Sequence, residues 1–308
     1  MEMTSDFRPW DELFITDAFG NIFSRLSFEE KMNVIPLVFK SWHQGAKRPC
    51  HWQEIEIEDW SSSHEPDQID RMVENMLRIS NGSLKKFCVS GVQNQRVLML
   101  IAENAGSLQT LGLPRSNLSN SIMEEFTSKL KLITSLDVSY CIQIGSQALE
   151  TIGKNCKQLE VLRRNMHPND TFGKPLKDDE ALAIASNMPK IKRLEMTYNL
   201  MTNTGILQIL SGCHELEHLD LRGCSGVNIG DIFVNENHPR LQVLGPHVVD
   251  IYMGDDDEEA SDASELEDLN THLEDFAVYS DGELQVEEGW GSNEGPGGSR
   301  SDESSSSS

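Results

Sequence analysis

At 308 residues the chain has room for one large or two modest domains plus a tail, and its net charge of −24 is gathered at one end. From Gly254 onward eighteen acidic residues face one base, Arg300, and such a polyanion repels nucleic-acid phosphate and anionic lipid. No apolar run approaches the roughly 18 residues of a membrane span, and the first six residues lack the basic and apolar parts of a signal peptide, so the nucleus or cytosol is the expected setting.

Residues 7–58 read as a separate unit of three short helices. Thr16 can cap a helix carrying Phe19, Ile22, Phe23 and Leu26 at i, i+3, i+4 and i+7. Ser27 and Glu30 have the spacing of a capping box and open a second helix. Pro36 suits the first turn of a third, running through Val38, Phe39 and Trp42. Trp52, Ile55 and Ile57 then alternate as a strand that closes the unit. So small a body has too little core for so many large apolar residues, which predicts that some of them face a partner. From Asp59 to Ser80 a polar bridge leads into a helix with Ile69, Met72, Val73, Met76 and Leu77 on one side.

From Leu84 to Leu244 one pattern returns, with leucine or a substitute at places one, four and six of a nine-residue frame. Leu84, Phe87, Val89 open it, followed by Leu108, Leu111, Leu113 and by Ile133, Leu136, Val138. Leu159 and Leu162 come next, but Arg164 takes the sixth place. Ile191, Leu194, Met196 and Leu216, Leu219, Leu221 are complete, and Leu241 with Leu244 begins a last copy that Pro246 cuts short. First places are 24, 25, 26, 32, 25 and 25 residues apart, the period of leucine-rich repeats except for one stretch. Places four and six alternate with polar residues, as in a strand with one buried face, and helix-like runs follow each strand. One strand and one helix cannot bury their faces alone, whereas stacked neighbours can, so the pattern predicts a curved solenoid of about seven repeats over residues 59–252.

Three further features follow from the frame. Cys141 and Cys224 stand three places past the last core residue, where Asn199 and Ser116 stand in other copies, a position for a small polar group that bonds loop backbone. The 32-residue stretch marks an inserted loop around Pro168, Gly173 and Pro175, read equally as a specificity loop or a tolerated insertion. Places three, five and seven make the concave strand face, with Lys86, Asp137, Arg163, Asn165, Arg193, Glu195, His218, Asp220 and Arg222 as its candidate target-binding residues. The most basic patch combines Arg163 and Arg164 with Lys174 and Lys177, and suits an acidic or phosphorylated target segment.

Residues 253–308 are acidic and Ser/Gly-rich, a composition expected to stay disordered. Leu266, Leu269, Leu273 and Phe276 sit there at helical spacing. His214-Glu215-Leu216-Glu217-His218 matches the zinc-protease signature H-E-x-x-H, but the frame puts it on a strand, where i and i+4 lie about 13 Å apart. One metal cannot bridge that, so no metal or cofactor is expected, and no other catalytic constellation is present.

Residues 15–26, then Val38-Phe39-Lys40-Ser41-Trp42, then His51-Trp52-Gln53-Glu54-Ile55 resemble an F-box. Thr16, Ala18 and Phe39 depart from the family's usual proline, acid and cysteine. The order of F-box and then cysteine-containing leucine-rich repeats resembles plant F-box/leucine-rich-repeat proteins over about four fifths of the chain. The resemblance implies a non-catalytic subunit of an SCF-type (cullin–RING) ubiquitin ligase, docking to a Skp-type linker and holding a protein target on the repeats. It implies adaptor contact, or support of it, by Leu13, Ile15, Phe19, Ile22, Phe23, Leu26, Val38 and Trp42. The other reading left open is a repeat scaffold that works without a ligase. The expected fold class is therefore α/β, a three-helix F-box followed by a solenoid and an acidic tail.

Overall fold

A computed structural model of the chain describes residues 20, 22, 23, 25–34, 48–228 and 239–246. Leu13, Ile15, Phe19, Val38 and Trp42, the expected third helix, most of the first and the tail beyond residue 246 lie outside the described residues; of the first helix, residues 20, 22 and 23 are described and helical.

Eight short strands, β1 (Glu54–Glu56), β2 (Lys86–Cys88), β3 (Thr110–Gly112), β4 (Ser135–Asp137), β5 (Val161–Arg163), β6 (Arg193–Glu195), β7 (His218–Asp220) and β8 (Gln242–Leu244), form one parallel sheet in chain order. Their register is set by the frame: place four pairs with place four, Phe87 with Leu111, Leu136 with Leu162, Leu194 with Leu219. Each of β1 to β6 is followed by helical structure, chiefly α3 (Pro66–Ser80), α4 (Gln95–Glu103), α5 (Asn120–Ser128), α6 (Ser146–Asn155), α8 (Asp179–Asn187) and α9 (Asn203–Gly212). These helices pack on their neighbours in the same order. All residues at places one, four and six from Leu84 to Leu221 are buried, and all but Arg164 belong to one continuous apolar core. Burial of a leucine contributes roughly 1.5–3 kcal/mol, so the ladder of places one, four and six carries most of the fold.

The strand Trp52–Ile57, assigned from sequence to the N-terminal unit, is instead the first rung of the sheet. Ile55 pairs with Phe87, and Trp52, Ile55 and Ile57 are buried at places one, four and six. The polar bridge is also structured: α2 (Glu58–Ser62) buries Trp60 and Ser61, and the Ser61 hydroxyl accepts from the Ser90 N–H at 2.9 Å. At the far end the register pairs Leu219 with Val243, so the last copy is shifted by one from the expected Leu241/Leu244, and Leu244 is exposed.

The helices start where local chemistry dictates. In α1 (Phe28–Asn33) the Ser27 hydroxyl accepts from Glu30 N at 3.2 Å while Glu30 Oε2 accepts from Ser27 N at 2.8 Å, the expected capping box. Pro66 opens α3, with Gln68 Oε1 accepting from Glu65 N at 3.0 Å, and Asn81 ends it in the left-handed region at φ 44°. Cys141 Sγ donates to Leu113 O at 3.3 Å, Cys224 Sγ to Met196 O at 3.0 Å and Asn199 Nδ2 to Arg164 O at 2.7 Å, so this place does tie neighbouring loops together. Burial pushes the Cys141 and Cys224 thiols up to about 12, which leaves them as unreactive packing groups.

Candidate functional site

Two surfaces follow from this fold. On the N-terminal unit, Ile22 is 42% exposed while its neighbour Phe23 is 0% exposed. Phe23 meets Trp52 edge-on at 5.0 Å, His51 at 5.5 Å and the Lys31 ammonium at 5.1 Å. Phe23 is therefore packed inside the unit, where of the two roles expected for it only support is open, and Leu26 is half-buried against the same core. Desolvation lowers the Lys31 pKa, opposed by Glu54 and Glu56 on β1. Phe28 of α1 also lies 6.4 Å from Trp60, so the unit is seated on the first rung through aromatic contacts.

The second surface is the open face of the sheet, and the registers bring its charged residues into one row. Asp137 stands beside Arg163, Arg163 beside Glu195, and Glu195 beside Asp220. Glu195 takes both Arg163 (3.2 Å) and Arg193 (2.9 Å), and Lys86 reaches Glu56 at 2.7 Å. Asp220 is only 7% exposed and holds Arg222 through its backbone N–H at 3.1 Å and its guanidinium at 2.6 Å. Asp220 thus positions Arg222. Asn165 is likewise a strut: its Oδ1 accepts from Thr197 N at 3.0 Å and its N–H donates to Ser139 Oγ at 3.2 Å. His218 lies at place three of β7, half-buried. The H-E-x-x-H stretch follows the end of α9 and runs into β7, so no helix brings its histidines together.

Burial pushes the Asp137 carboxyl up, against hydrogen bonds from Ser139 and the nearby Arg163. Glu58 is pushed up by burial and then by Asp137. Its Oε1 lies 2.7 Å from where a Cβ on Gly112 would sit, so a side chain at that place of β3 would displace the carboxylate. Sequence reading misses Glu54, Glu56 and Glu58 here, because Trp52, Ile55 and Ile57 also read as a strand closing the N-terminal unit. The signal was available in Trp52, Ile55 and Ile57, which carry the repeat's own spacing.

Of the expected basic patch, Arg164 does not reach the surface. It is 2% exposed, with Nη2 donating to Ile144 O at 2.9 Å and paired with Glu180 at 3.1 Å. A cavity of about 380 Å³ lies beside it, roofed by the insertion through Asp170, Lys174 and Lys177. The insertion forms one turn, α7 (Pro168–Thr171), and leaves Phe172 89% exposed.

A parallel array of leucine-framed strand–helix units, with the short helix α1 seated beside its first rung, is a leucine-rich-repeat architecture. No family model matches the chain. It is 44% identical over 300 residues to "F-box protein FBW2" of Arabidopsis thaliana, across 95% of this chain and 94% of that one. It is 31% identical over 284 residues to "F-box protein SKIP19", also of Arabidopsis thaliana, across 88% and 89%. To "Putative F-box/LRR-repeat protein 23" of the same plant it is 33% identical over 229 residues, 73% of this chain and 50% of that one. The chain belongs to the plant F-box protein family.

Proposed function

We propose that the chain is the substrate-recognition subunit of an SCF-type ubiquitin ligase, acting in the nucleus or cytosol. Its N-terminal unit docks to a Skp-type linker and through it to the cullin–RING core. The open face of the repeats holds a protein target for ubiquitination and degradation. The observation that carries this reading is the seating of the head on the sheet: Phe23 against Trp52, with Ile22 left outward. A head fixed in this way sets where a target on the repeats stands relative to the adaptor. Tethering of that kind raises effective concentration to about millimolar with no acid, base or nucleophile from this chain.

Changing Ile22→Asp in the full chain tests it. Co-purification with the Skp-type linker is expected to fall at least tenfold while the melting temperature holds, because Ile22 is outward. Undiminished capture by this variant, together with intact target turnover, favours a repeat scaffold that needs no ligase.

A further inference from the structure

The array has two ends, and only one of them is sealed among the described residues. At the first rung Trp52, Ile55 and Ile57 are at most 2% exposed, with Phe23 against Trp52 and Phe28 beside Trp60. At the last, the register puts Arg240, Val243 and Gly245 at places one, four and six, so a single apolar side chain stands where most rungs have three. Leu241 and Val243 are only partly buried, Leu244 is 53% exposed, and among the described residues β8 has a neighbouring strand on one side only. A stacked repeat buries its inner surface against the next one, so the final repeat needs a cover that is apolar inside and polar outside.

The chain itself supplies a segment of that description. Leu266, Leu269, Leu273 and Phe276 recur at helical spacing, behind Ser264 and Glu267 in the spacing of a capping box. The opposite side of such a helix carries Glu267, Asp268, Glu274 and Asp275. Size agrees: a helix over 264–276 is about 20 Å long at 1.5 Å per residue, and residues 241–246 extend over about 20 Å. The connecting residues 247–263 reach up to about 55 Å, so the segment can return to β8. Charge agrees as well. The stretch 239–246 holds one base, Arg240, and no acid, and Arg240 makes no ion pair among the described residues.

We propose that residues 264–276 are the C-terminal cover of the array. They lie as a helix along β8, with the apolar stripe on Leu241, Val243 and Leu244 and the acidic side toward Arg240 and solvent. Being joined to β8 by its own chain, the segment is held at about millimolar effective concentration, so an interface too weak to hold two separate molecules suffices. The proposal stands whether or not the chain serves a ligase.

Hydrogen exchange on the full-length protein reads both sides of this contact at once. We expect slowed amides over 264–276 and over 242–245. In Leu269→Asp combined with Leu273→Asp, both stretches should exchange faster by about tenfold or more, while the amides of β4 hold. Leu244→Asp, on the other side of the contact, is expected to speed 264–276 in the same way. Exchange at the rate of a free peptide over 264–276 in the unaltered protein overturns the proposal, as does unchanged protection of 242–245 in the double variant. So does an equal acceleration in β4, which would make the segment a general stabiliser rather than the cover of one end. Sedimentation of the same samples separates the other occupant: protection of 242–245 that disappears on dilution, together with a dimer, assigns this end to a second copy of the chain and also overturns the proposal.

Discussion

The repeat built on β5 and the one built on β6 share a frame and differ at its sixth place, where one has Arg164 and the other Met196. Met196 is simply core, at 0% exposure. Arg164 is almost as deeply buried, yet it holds a charge and depends on Glu180, which comes from α8 beyond the insertion. The neighbouring repeat shows that an apolar residue fits this position, so the guanidinium is a choice the scaffold tolerates rather than one it requires. What the pair teaches is that place six is core like places one and four, and that one repeat can hold a charge there only by supplying a partner from the next helix.

That contrast is open to a direct challenge. Truncating the charged partner, Arg164→Ala, should lose about 3–5 kcal/mol in chemical denaturation, because Glu180 is left behind beside an empty space. The apolar counterpart, Leu194→Ala at place four of β6, should lose about 2–5 kcal/mol by the same measurement. Replacing both charges, Arg164→Met with Glu180→Gln, should be neutral or stabilising by about 1–4 kcal/mol. A large loss in that double variant would show that the pair supports the insertion and is not merely tolerated. On the open face the effect is smaller and depends on pH. Burial raises the folded pKa of Asp137 above its unfolded value, so its ionisation works against folding and stability falls as pH rises through that window. Asp137→Asn should therefore give a small rise in melting temperature at pH 7 that vanishes below about pH 4, where both forms are neutral. An equal rise at both ends of the scale would locate the cause in packing rather than charge.

Much of this molecule was legible in its sequence. Places one, four and six each name a buried residue, and the pairing of Leu136 with Leu162 or Leu194 with Leu219 follows from the spacing alone. The capping box at Ser27 and the loop ties made by Cys141, Cys224 and Asn199 were legible for the same reason, since each needs one small polar group at one spot. The first rung was hidden because Trp52 and Ile55 satisfy two patterns at once. The last was misplaced by one because Leu241 and Leu244 fit the frame as well as Val243 does until the partner strand is seen. The Arg164–Glu180 pair is separated by sixteen residues and an insertion, which no periodicity spans.

The membership of Glu54–Glu56 in the sheet bears on how this protein can be cut. A fragment beginning at residue 59, the boundary that composition suggests, strips the outermost ribbon and leaves β2 with a row of bare amide and carbonyl groups. Such an edge recruits other chains and invites aggregation. The same three residues that terminate the array also shield it, and a soluble repeat fragment should start no later than Pro49, where the turn preceding that shield begins.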